Sequence, residues 1–130
     1  MLRRKKVEYT CTDYNSATIL LGSGQSDGII CALSYIARSI VKGITPPFPC
    51  ISAIIENAIP SEDATIRERS FRLFAYIFRC SNHLTLWIDI RHAVIMEISN
   101  AECHHAMDAA FHLLHTLPIQ ETLVFCCSKD

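Results

Sequence analysis

Between Gly22-Ser23-Gly24 and Thr45-Pro46-Pro47-Phe48-Pro49, the residues Ile29, Ile30, Leu33, Ile36, Ala37, Ile40, Val41 and Ile44 recur at helical spacing on one broad face. A helix with that much apolar surface must bury it, so the chain has to supply other elements that cover it. Ser26 or Asp27 is placed to cap its start, Lys42 and Gly43 supply a C-terminal charge and a stop, and the prolines prevent continuation.

At 130 residues, the length fits a single domain over 1–130 with a real core. Half of the residues are hydrophobic and 19% are charged, a balance far from disorder. Charges break the longest apolar runs before membrane-spanning length, which excludes a membrane reading. The basic leader Arg3-Arg4-Lys5-Lys6 is followed by Val7-Glu8-Tyr9-Thr10 rather than a signal-type apolar stretch, so a cytoplasmic location is expected. The seven cysteines, Cys11, Cys31, Cys50, Cys80, Cys103, Cys126 and Cys127, are odd in number and show no paired framework. They read as small hydrophobes in a reducing compartment. With a net charge of −1, the overall field calls for neither nucleic acid nor an anionic membrane.

Beyond the first helix the pattern is mixed. Val7, Tyr9 and Cys11 alternate with polar residues as in a strand, Asp13-Tyr14-Asn15 supplies a turn, and Ala17 to Leu21 reads as the returning strand of a hairpin. Ile51, Ile54, Ile55 and Ala58 fit a short helix over 50–59. Ser61-Glu62-Asp63 resembles a helix start, but the aromatic and branched residues of Phe71 to Phe78 favour a strand over 70–79. Ser81-Asn82-His83 then predicts a hairpin turn into a strand over 84–90, continuing over 94–98 after a break near Arg91-His92-Ala93. Ser99-Asn100-Ala101-Glu102 has capping-box spacing, and Cys103, Ala106, Met107, Ala110, Phe111, Leu114 and Leu117 follow as a second main helix ended by Pro118. Thr122 to Cys127 reads as a last strand. The expected class is therefore α+β, with two main helices packed on a mixed or antiparallel sheet.

Read from Asp27 to Ile44, the first helix resembles the catalytic helix of the ribosomal-processing cysteine protease (Prp) family. Asp27, Ala32, Ser34, Ala37, Val41 and Gly43 match its pattern, while Ile29, Leu33, Ile36, Arg38, Ser39, Ile40, Lys42 and Ile44 are broadly similar. The resemblance implies a Prp-like sandwich, a cytoplasmic homodimer and recognition of a peptide or a ribosomal-protein tail. The family's cysteine falls on Ile30, with Cys31 one place later, and the family's histidine-bearing turn is represented here by the histidine-free Gly22-Ser23-Gly24-Gln25-Ser26. The expected function is thus a non-catalytic relative that acts by binding, without a cofactor. An active cysteine endopeptidase would use Cys31 as nucleophile, and the resemblance would then imply removal of an N-terminal extension from a ribosomal protein. Its base would have to be a remote histidine, His83 or His92. An unrelated α+β interaction or immunity module is the third reading.

The second main helix carries His104, Asp108, His112 and His115 at spacings that let them share one side, with His105 beside them. His104, Asp108 and His112 are the metal candidates. Without further converging ligands, the pattern reads first as a solvated polar face stabilised by neighbouring ion pairs.

Overall fold

The computed structural model describes residues 9–80, 84–100 and 102–116. Among them the regular elements are helical: α1 (Tyr14–Leu21), α2 (Ser26–Val41), α3 (Phe48–Ala53), α4 (Ala64–Cys80), α5 (Leu84–Asn100) and α6 (His104–Thr116). No strand or sheet is present among the described residues, so the α+β expectation is overturned, and with it the Prp-like sandwich.

The predicted return strand over Ala17 to Leu21 is instead the body of α1. Asp13 is the N-cap: its carboxylate accepts the Ser16 backbone N–H at 2.7 Å, and Ser16 Oγ accepts the Asp13 N–H at 3.2 Å. This reciprocal box satisfies two donors that a helix start leaves orphaned, and Ala17 and Leu21, one turn apart, bury the inner face. Asp13-Tyr14-Asn15 begins a helix rather than a hairpin turn. Of the preceding predicted strand, Val7 and Glu8 lie outside the described residues, and Tyr9 to Thr12 has no regular secondary structure.

The Asp13 carboxyl is held below its ordinary range, first by the Ser16 backbone N–H and then by the Ser16 hydroxyl. A depressed folded-state pKa contributes stability above the unfolded carboxyl pKa, and that contribution is lost as pH falls through the folded value. Thermal melts of the wild type and Asp13→Asn should therefore differ at neutral pH by a few degrees at most and converge in acid. Parallel curves across that range would contradict the role given to the cap.

Helix α2 forms as expected, but it starts after Gln25, which makes no side-chain cap, so neither Ser26 nor Asp27 is the cap. Ile29, Ala32, Leu33, Ile36 and Ile40 are buried, and Ile30 is half-buried against them. Val41 and Ile44, expected on the core face, are exposed. Gly43 ends the helix at φ +88°, and the Ile44 N–H reaches the Ser39 carbonyl at 2.9 Å, closing the terminal carbonyls in the left-handed turn that glycine permits. The expected helix over 50–59 is also present, as α3 followed by a π-helical turn over Ile54–Ala58 in which the Ile59 N–H bonds Ile54 O.

The largest departures are α4 and α5. Residues 70–79 are helical: Ile66, Ser70, Phe71, Phe74 and Ile77 are buried, while Arg69, Arg72, Tyr76 and Arg79 are exposed three and four residues apart. Asp63 supports this start, since its carboxylate accepts the Thr65 N–H at 2.9 Å and its carbonyl takes the Arg67 N–H. The predicted strands over 84–90 and 94–98 are the single helix α5, with Leu86, Trp87, Ile90, Val94 and Glu97 inward. Its outer face carries Ile88, Ile95 and Met96, and apolar residues on both sides hid the 3.6-residue period. The turn at 81–83 and the strand over 122–127 lie outside the described residues.

Helix α6 buries Ala106, Ala109, Ala110 and Leu113, a face rotated from the expected one, with Phe111 exposed. Three alanines leave little between backbones, which lets α6 lie close along α4, its main partner. Helix α4 also contacts α2, which in turn packs on α1, while α5 packs mainly on α6. One contiguous core draws side chains from all six helices. No described helix is long and apolar enough to cross a membrane.

Candidate functional site

Cys31 is the sixth residue of α2, beyond the first turn, where the free N–H groups of a helix start would favour a thiolate. Its Sγ donates to the Tyr9 carbonyl at 3.2 Å and stands 4.0 Å from Cys11 Sγ. His92 is on the exposed side of α5, whose principal neighbour is α6 rather than α2. There it borders a cavity of about 480 Å³ with Asp89, Met96 and the Arg67–Glu97 ion pair. The structure therefore does not bring Cys31 and His92 together. His83 lies outside the described residues.

His104, Asp108 and His112 all lie on the exposed side of α6, as their spacing requires. Among the described residues, no three His, Cys, Asp or Glu side chains gather as a metal ion would need. His112 turns elsewhere: its Nε2 is 3.4 Å from Arg79 Nη2 on α4. His115 Nδ1 lies 2.7 Å from the Phe111 carbonyl, a bond within its own helix.

Arg79 and His112 meet at the edge of a cavity of about 350 Å³ between α4 and α6, lined also by Arg72, Tyr76 and Asp108. That volume is within the range of small-ligand and side-chain pockets. The Arg79 guanidinium lies over the Tyr76 ring, 5.9 Å from its centroid, a cation–π attraction between two residues that line the cavity. Arg72 pairs with Glu68 one turn back at 3.0 Å, and Arg69 donates to Ser34 of α2 at 3.2 Å. Arg72 is the one of these three arginines that holds an ion pair among the described residues. Three guanidiniums and a phenol thus share one exposed stripe of α4, and Asp108 and His112 of α6 line the cavity beside Arg72, Tyr76 and Arg79.

Two residues of this cleft, Asp108 and His112, were singled out in the sequence for a different chemistry. The α4 residues were not, although Arg69, Arg72, Tyr76 and Arg79 stand at i, i+3, i+7 and i+10, the spacing of a helix face. On a strand, Arg69 and Arg79 would lie on the opposite face from Arg72 and Tyr76. No family model matches this chain, and neither a curated protein nor a solved structure matches it. The likeness to the Prp helix therefore rests on α2 alone.

Proposed function

We propose that this chain works by binding, and that the cleft between α4 and α6 receives an acidic peptide segment. The observation that carries the reading is the exposed stripe of Arg69, Arg72, Tyr76 and Arg79, the last three of which line a cavity of about 350 Å³. Guanidinium groups grip carboxylates with paired, charge-assisted hydrogen bonds, and arginine clusters are a recurring means of holding acidic motifs. The stripe runs about 15 Å along the helix, the length of an extended segment of roughly four to five residues. A basic ribosomal-protein tail would meet like charge on α4, so the proposal takes the peptide and leaves that tail aside. The net charge of −1 favours a short acidic segment over an extended polyanion such as nucleic acid.

Peptide hydrolysis finds less support, because the groups that Cys31 meets through hydrogen bonds are a carbonyl and a second thiol. The free thiols of Cys11, Cys31, Cys50 and Cys103 suit a reducing compartment, and we place the protein in the cytoplasm on that ground.

Fluorescence polarisation with a labelled glutamate-rich peptide tests the proposal, with a lysine-rich peptide and a single-stranded oligonucleotide as competitors. The glutamate-rich peptide should bind, neither competitor should displace it, and Arg79→Ala should weaken it roughly tenfold. Absence of binding, displacement by the oligonucleotide at lower concentration, or indifference to Arg79→Ala would each sink the reading.

A further inference from the structure

The segment before α1 is laid along one side of α2. The Tyr9 ring lies over Gly28, where an added Cβ would come within 3.4 Å of it. One turn on, Cys31 donates to the Tyr9 carbonyl and faces Cys11, and one turn further the Tyr35 hydroxyl donates to the Thr12 carbonyl at 3.2 Å. Positions 28, 31 and 35 form a single stripe, so α2 holds the segment on both sides of Cys11. Asp13 then anchors it again as the cap of α1.

The two sulfurs are consequently neighbours by construction. They are separated by 20 positions in the chain, yet stand 4.0 Å apart and half-buried. A disulfide needs them about 2 Å closer, at an S–S length of about 2.05 Å. Among the described residues, the hydrogen-bond partners of Cys31 are the Tyr9 carbonyl and Cys11, and no histidine is one of them. Burial, followed by the neighbouring Cys31, pushes the Cys11 thiol up to about 11. Cys11 is therefore held as a thiol at neutral pH, slow to react alone, while the geometry places the two sulfurs to react with each other once one is modified.

We propose that Cys11 and Cys31 form a dithiol modification site, closed to an intramolecular disulfide by a small-molecule disulfide of the glutathione class. One protein thiol loses its proton and attacks a sulfur of the oxidant, breaking its S–S bond, forming a mixed disulfide and expelling one small thiolate. The second protein thiol loses its proton and attacks the protein sulfur of that mixed disulfide. The Cys11–Cys31 bond forms and the second small thiolate leaves. Two protein thiols are oxidised, one small disulfide is reduced to two thiols, and the two protons lost by the cysteines end on them. The bond clamps the leading segment to α2 and constrains the unfolded chain across α1 and the turn that follows it. It is independent of the α4–α6 cleft.

Incubation of the reduced, full chain with excess oxidised glutathione, followed by intact-mass and peptide mapping, provides the test. The expected product has lost two hydrogens, carries no glutathione and yields one linked peptide pair joining Cys11 to Cys31. Its Tm should rise by about 10 °C and return on reduction. Cys11→Ser and Cys31→Ala should each abolish the shift while retaining the helical circular dichroism of the parent. A stable glutathione adduct on either cysteine, a link formed by other cysteines, or an unchanged or lowered Tm in the linked product would overturn the proposal.

Discussion

Phe74→Ala should lower the unfolding free energy by about 3–5 kcal/mol, the cost of emptying an aromatic site in a core that cannot fully collapse around the gap. Phe74 is 0% exposed on α4, the helix that touches both α2 and α6, and its ring packs 6.0 Å from Phe78. A loss of that size is a large share of what a domain possesses. Tyr76→Ala, two residues on and 42% exposed, should cost far less, within about 1 kcal/mol. The contrast is diagnostic, because residues two apart share a face in a strand and lie on different faces in a helix. Urea unfolding of the two variants measures it. Equal costs at the two positions would contradict the helical account of residues 70–79.

The second large effect is electrostatic. Arg67 of α4 and Glu97 of α5 pair through Nε and Oε1 at 2.6 Å and Nη2 and Oε2 at 3.4 Å, with side chains 18% and 4% exposed. Arg67 also donates to the carbonyls of Ser61 and Glu62, so its guanidinium ties the entry of α4 to the later turns of α5. Glu97→Ala should cost about 3 kcal/mol, the lower part of the range for breaking a buried pair, since the retained carbonyl bonds and the partial exposure of Arg67 ease its loss. The pair as a whole contributes less than this, because two buried charges had to leave water to form it. Accordingly, the double change Arg67→Met with Glu97→Leu should be less destabilised than Glu97→Ala alone. A cost for Glu97→Ala within 0.5 kcal/mol, the behaviour of an exposed pair, would show that α5 does not turn Glu97 inward.

What could be read from the sequence depended on whether one face was cleanly apolar. Helix α2 was legible because its isoleucines and Leu33 cluster on a stripe, and the glycine and prolines beyond it punctuate its end. Helix α6 was legible in extent, although its alanine-rich contact with α4 turned the buried face away from the larger Met107 and Phe111. In α4, the aromatic and branched residues Phe71, Phe74, Tyr76, Ile77 and Phe78 mimic a strand, because β-propensity records fit to a half-buried surface and tertiary packing can override it. The interleaved Arg69, Arg72 and Arg79 already carried the helical period. In α5, Ile88 and Ile95 sit opposite Leu86, Trp87 and Ile90 and interrupt the exposed polar residues Asp89 and His92, leaving no cleanly polar side by which to recognise a helix. The Asp13–Ser16 box of α1 is present as a three-residue spacing, but Asp13-Tyr14-Asn15 equally fits a turn, the other role that aspartate and asparagine favour.

The site followed the same logic. Asp108 and His112 were visible as a spaced polar pair on a helix, but their partners come from α4, and only a helical α4 brings Arg72, Tyr76 and Arg79 to one edge. Cys31 was conspicuous in the sequence, whereas its relation to Cys11 depends on how the leading segment crosses α2 and no local pattern encodes it. The residue that looked most like a nucleophile is thereby placed beside a second thiol and away from His92.

The most direct test of binding at the α4–α6 cleft is an NMR titration of the isotope-labelled chain with the glutamate-rich peptide. The account predicts saturable shifts centred on Arg72, Tyr76, Arg79, Asp108 and His112, with the amides around Cys31 unmoved. Shifts gathered around Cys31 and the start of α2, or no saturable shifts at all, would contradict it.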